Sequence, residues 1–135
     1  MTNNLYSFDI STEEKQAFIT IDDHLQKALS RSGVKNGIML VFCPHTTAGI
    51  TINENADSGV KKDLISGLNQ AFPNKAEYAH LEGNSDGHIK SSVVGASETL
   101  IILKGRLILG TWQSLYFCEF DGPRNRTFFV KIIEG

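Results

Sequence analysis

The chain has 135 residues, of which 41% are hydrophobic and 21% charged, with a net charge of −2 at pH 7. That length and apolar content suit one globular domain with a real core, and the charge excludes the basic footprint of a nucleic-acid or anionic-membrane binder. No stretch approaches the ~18 apolar residues of a spanning helix, and the opening MTNNLYSFDI lacks the basic and apolar regions of a secretory signal, so a cytoplasmic protein is expected.

No repeat, low-complexity tract or linker divides the chain, and residues 1–135 read as a single domain. LYSFDI and QAFITI alternate at period two and are expected as strands. DDHLQKALSRSG follows as a helix, acidic in its first turn and stopped by Gly33. GIMLVFC reads as a buried strand and AGITIN as a short one. DSGVKKDLISGLNQAF carries Val60, Leu64, Leu68 and Ala71 on one helical face, with Asp57 as its N-cap.

After Pro73 a long polar segment runs to Gly87, the kind of loop that is usually functional or mobile, and HIKSSVVG follows as a short helix. TLIILKGRLILG is a hairpin candidate with Gly105 in the turn; TWQSLYFCEF and RTFFVKII are strands joined through DGPRN. Seven or eight strands and two main helices define an α+β fold with mostly antiparallel pairing.

Three of the four histidines border irregular segments: His45 at a strand end, His80 in EYAHLEG and His88 after GNSDG. Neutral imidazoles from separate segments are the usual ligands of Zn²⁺, although these spacings match no closed zinc-finger pattern and ordinary hydrogen-bonded histidines are the commoner outcome. His24, among Asp22, Asp23 and Gln26, reads as a solvent-facing helix residue. Cys43 would share a strand face with His45 as a further ligand, or simply pack; with Cys118 it forms either one bridge or, preferred here, two buried thiols in a reducing compartment.

Among the acids, Glu54 beside a helix start has capping as its rival role, and Asp63 reads as a solvated edge residue. In TWQSLYFCEF, Gln113 and Glu119 share a face with Leu115 and Phe117, which implies buried partners, a site, or strand ends reaching water. Arg124 and Arg126 on the DGPRNR turn suit either a phosphate or carboxylate clamp or surface salt bridges. No Walker A, G-x-G-x-x-G or G-x-S-x-G motif is present.

The segments HTTAGITINE, YAH, GHIKSSVVG, GRLILGTWQSLYFCEFDGPRNR and VKIIEG resemble the YjbQ-like family of secondary thiamine-phosphate synthases, in the same order and over nearly the whole chain. The resemblance implies a compact α+β fold, a homotrimer, and a histidine-bearing pocket near subunit boundaries. Its residues here would be His45, His80 and His88 as metal ligands, Glu54, Gln113 and Glu119 as catalytic groups, and Thr46, Thr47 and Arg124 at the substrate, with Lys90 helping to hold a phosphate.

One departure stands out: many relatives resemble N-A-H-A-H where this chain has NSDGH, so Asp86 replaces a histidine. The implied reaction joins an aminopyrimidine methyl diphosphate to a thiazole phosphate. Departing diphosphate favours Mg²⁺ on oxygen ligands, whereas three imidazoles favour Zn²⁺, so the thiamine reaction reads as a secondary activity of a metal-dependent enzyme. The alternatives are a non-catalytic metal- or anion-binding trimer, and a set of histidines that only knits subunits together.

Overall fold

The computed structural model describes residues 3–135. Strand β1 (Leu5–Ser11) pairs antiparallel with β8 (Asn125–Glu134), β8 with β3 (Gly37–Phe42), β3 with β5 (Ser97–Leu103), and β5 with the two-residue β6 (Arg106–Leu107). A second antiparallel sheet places β7 (Gln113–Glu119) between β2 (Ala17–Thr20) and β4 (Ala48–Glu54). The expected single α+β domain with antiparallel sheets is thus what the chain forms.

Period-two alternation decides which side of the larger sheet is buried. Tyr6, Met39, Val41, Leu100, Ile102, Phe128, Val130 and Ile132 meet Ile50, Leu115 and Phe117 of the smaller sheet in the main core. Helix α1 (Asp22–Ser32) adds Leu25, Ala28 and Leu29 to that core, and Gly33 ends it in the left-handed region at φ 67°. The opposite face of β7, Tyr116 and Cys118, joins Phe18 and Phe120 under Leu64, Ile65 and Leu68 of α2 (Ser58–Ala71) and Val94 of α3 (Ser85–Val94). β7 is therefore covered on both faces, which explains its nearly continuous burial.

Several expectations need adjusting. Asp57 does cap α2, accepting from Gly59 N at 2.8 Å, but Ile65 replaces Ala71 on the packed face and Ala71 is exposed. The short helix expected from His88 begins three residues earlier, at Ser85. Gly87, expected as the end of the polar loop, lies inside α3; a Cβ there would sit 2.9 Å from Phe120 O, so glycine lets the first turn of α3 lie against the end of β7. Cys43 and Cys118 are both buried free thiols. His24 is half-buried, its ring edge-on to Phe8 and Phe128 at 5.1 and 5.5 Å between centroids, and burial lowers its pKa. Asp23 and Lys27 stay exposed on either side of it, and these polar sequence neighbours hide the packing of His24.

Candidate functional site

Four chain segments converge beyond the Glu119 end of β7. After β3, the Pro44–Thr47 loop carries His45. The loop before α3 brings His80, Glu82 and Asn84; α3 adds His88; the turn into β8 and β8 itself bring Arg124 and Arg126. Together they line a cleft of about 380 Å³.

The floor is a buried ion pair. Arg126 donates from Nε to Glu119 Oε1 at 2.9 Å and from Nη2 to Glu119 Oε2 and to Thr47 Oγ1 at 2.8 Å. Glu119 also accepts from Thr12 Oγ1 at 2.7 Å and from Asp121 N at 3.0 Å. Burial alone would push this carboxyl up, but the bonds from Arg126, Thr12 and Asp121, with the Arg126 charge, bring it below its ordinary range. Glu119 is fully buried and every one of its oxygens is engaged, so it fixes Arg126 and has no oxygen to spare for substrate.

The rim is more exposed. Arg124 donates to Asp121 Oδ2 at 2.8 Å and lies 3.4 Å from Glu82 Oε2, and the Asp121 charge raises its pKa. Asn84 Nδ2 donates to Asp121 Oδ2 at 2.6 Å and Glu82 Oε2 at 3.2 Å. Two carboxylates on the amide nitrogen fix its orientation and leave Asn84 Oδ1 buried without a partner. The rings of His80 and His88 stand perpendicular, 5.1 Å apart, with His80 Nε2 3.8 Å from Glu82.

His45 Nε2 lies 2.9 Å from Thr127 N and 3.0 Å from Thr127 O, so either tautomer is tied to that residue. Burial, then the Arg126 charge, lowers its pKa and favours the neutral ring. Of the three expected metal ligands, His80 and His88 are neighbours, while His45 has only Nδ1 to offer. Among the described residues no three His, Cys, Asp or Glu side chains are arranged to hold an ion. The metal set read from the sequence therefore does not fit within one chain as it stands. Cys43 is buried in the core, where burial raises its thiol pKa, and is no ligand to this cleft.

Glu54 and Gln113 are not brought to the cleft. They pair with each other across β4 and β7, and Gln113 Oε1 accepts from Gly110 N at 2.8 Å. Gln113 and Glu119 are six steps apart along the strand, roughly 20 Å at ~3.3 Å per residue. Strand alternation revealed the shared face and gave no indication that the two ends serve different surroundings. Lys90 is also elsewhere: fully buried, it donates to Asn69 Oδ1 at 2.6 Å and lies 3.6 Å from Asp86 Oδ2, tying α3 to α2 instead of lining the cleft. Asp86 is thereby a partner of Lys90. Glu82 and Asn84 were missed because the polar loop shows no periodicity. Asn84 just before a helix was the one available signal.

Two packed antiparallel sheets flanked by helices define a small α+β protein with a polar, histidine- and arginine-lined cleft at one sheet end. The chain belongs to the family described as UPF0047 protein YjbQ-like, which matches residues 6–135. It is 53% identical over 129 residues to a UPF0047 protein of Methanocaldococcus jannaschii, covering 96% of this chain and 94% of that one. Against UPF0047 protein YugU of Bacillus subtilis the identity is 49%, covering 96% and 98%. A crystal structure of an uncharacterized YjbQ/UPF0047 protein from Clostridium acetobutylicum superposes with a TM-score of 0.93 at 52% identity, covering 95% of this chain and 99% of that one. No helix of the described residues is long and apolar enough to cross a membrane.

Proposed function

We propose that the cleft binds a small phosphorylated anion and that the chain is an enzyme whose acid–base groups are His80 and His88, with thiamine phosphate formation among its activities. The observation that carries this reading is Arg126. Its guanidinium is buried, held on two sides by Glu119 and Thr47, and lines the cleft, while among the described residues only Nε and Nη2 make hydrogen bonds. A guanidinium fixed in this way is an anion-binding group whose ordering cost is already met. Glu119, Asp121 and Glu82 offset the arginine charges, so donor geometry and protons on histidine, not net charge, would select the ligand.

Both substrates of the reaction implied by the resemblance carry phosphate groups, which fits this cleft. Of the cations expected from the sequence, Mg²⁺ carried in on a diphosphate needs no set of three protein ligands. Zn²⁺ on the imidazoles would need His45 Nδ1 or a residue outside this chain. Two buried unpaired thiols support a reducing compartment.

Calorimetry with inorganic phosphate, paired with an assay for thiamine phosphate from its two precursors, tests the proposal. Wild type should bind phosphate, Arg124→Gln and Arg126→Lys should each weaken binding about tenfold, equivalent to ~1.4 kcal/mol, and His88→Ala should stop turnover. Phosphate affinity unchanged in both arginine variants would sink the anion site. Binding without product in wild type would leave a non-catalytic binding protein, the second reading.

A further inference from the structure

At the end of β7 away from the cleft, a turn and a loop enclose a hollow of about 270 Å³, lined by Asn55, Ala56, Thr111, Trp112, Gln113 and Ser114. The turn is closed twice: Gln113 N donates to Gly110 O at 3.1 Å, and Gly110 N donates to Gln113 Oε1 at 2.8 Å. Thr111 and Trp112 stand at its tip. Asn55 N donates to Trp112 O at 2.9 Å and so ties the loop after β4 to the turn. The frame of the hollow is therefore set by hydrogen bonds that no ligand has to make.

The polar groups on this frame outnumber their partners. Ser114 is only 6% exposed and lines the hollow, yet its hydroxyl has no hydrogen-bond partner among the described residues. Gln113 spends its oxygen on Gly110 N, which can only donate, so the amide is fixed with Nε2 as an unused donor. One end of the Asn55 amide lies 3.0 Å from Tyr116 Oη and the other end is unengaged among the described residues. The Thr111 hydroxyl is likewise unpaired there, beside Trp112, whose side chain is 64% exposed. One exposed tryptophan is ordinary, but a buried serine without a partner next to it is not.

This set of groups selects a chemistry. No ionisable side chain lines the hollow, so it offers an ion no counter-charge. The hydroxyls of Thr111 and Ser114 both donate and accept, and the amides add donors, which matches neighbouring hydroxyls that also do both. The indole face supplies an apolar platform for the C–H face of a saturated ring, with the polar groups placed to reach its edge. A planar base would stack on that platform but leave its second face in water, because the hollow has one aromatic wall.

We propose that this hollow binds an uncharged sugar ring, stacked on Trp112 and hydrogen-bonded through adjacent hydroxyls to Thr111, Ser114 and the Gln113 amide. The site lies a strand length from the cleft, roughly 20 Å, and stands whether or not the cleft binds phosphate.

Trp112 is the only tryptophan of the chain, so its fluorescence reports on the hollow directly. The whole chain is titrated with methyl glucoside and methyl galactoside, and with uracil as a planar, uncharged probe. At least one glycoside should change the emission saturably, and uracil should not. Thr111→Val and Ser114→Ala should each weaken the glycoside about fivefold, the effect of one lost neutral hydrogen bond, with unchanged thermal melts reporting an intact fold. Trp112→Ala, followed through the Ala56 amide by nuclear magnetic resonance, should weaken it about tenfold. No saturable response to either glycoside overturns the proposal, as does an affinity unchanged in all three variants. Saturation by uracil alone gives the platform to a planar base and overturns the sugar.

Discussion

Glu119 shows how much a single residue's role depends on its partners. The sequence placed it on a strand face with Leu115 and Phe117 and left open whether it served water, buried partners or a site. Its partners, Thr12, Asp121 and Arg126, come from separate segments of the chain, so no local pattern could have named them together. Removing one member of such a pair leaves a buried, uncompensated charge. Glu119→Gln should therefore cost about 3–5 kcal/mol of unfolding free energy and misplace Arg126, which urea unfolding and phosphate titration would show together. The same pair sets a pH dependence. Because the folded-state pKa is depressed, the stabilisation is fully present above the ordinary carboxylate value and is lost as pH falls through the lower folded value. Acid unfolding of wild type should steepen in that window, and the slope for the Glu119→Gln variant should be shallower; equal slopes in the two proteins would refute the role given to Glu119.

At the scale of elements, periodicity made the strands, α1 and α2 legible, because each buries one regular face. α3 was only half legible, since it is held by close approach and a buried lysine instead of an apolar stripe. Gly87 makes that approach at its start, and Gly49 makes it at its end. A Cβ on Gly49 of β4 would lie 2.6 Å from Gly95 O and 3.3 Å from Val94 Cγ1, so β4 and the end of α3 touch backbone to backbone. Gly49→Ala must push α3 away, and α3 carries His88. We expect a loss of about 1–3 kcal/mol, typical of overpacking, together with weaker phosphate binding. Gly67→Ala on α2, where nothing lies within 4 Å, should be neutral or stabilising by up to ~1 kcal/mol. Thermal melts of the two variants separate a packing constraint from a general intolerance of alanine; equal melting points would count against the close approach.

For the whole molecule, the larger sheet leaves one face uncovered. Ile38 stands directly between Ile101 on β5 and Ile133 on β8, and all three are exposed, at 40%, 60% and 50%. Leu5, Phe42 and Leu103 extend the stripe on the same face. Scattered exposed apolar residues need no explanation, but a contiguous stripe across three central strands is the pattern of an interface. Sequence alternation hid this, because an apolar residue on either face of a central strand reads as core. The proposed occupant is a second copy of the chain, in the homotrimer that the family resemblance implies. Covering the stripe would make folding and assembly interdependent, so the melting temperature of wild type should rise with protein concentration. Ile101→Lys with Ile133→Glu puts charges on the stripe without touching the cleft. Sedimentation should then show a species smaller than wild type, with a concentration-independent melt. A wild type that sediments as a single chain at micromolar concentration would remove this face from the assembly.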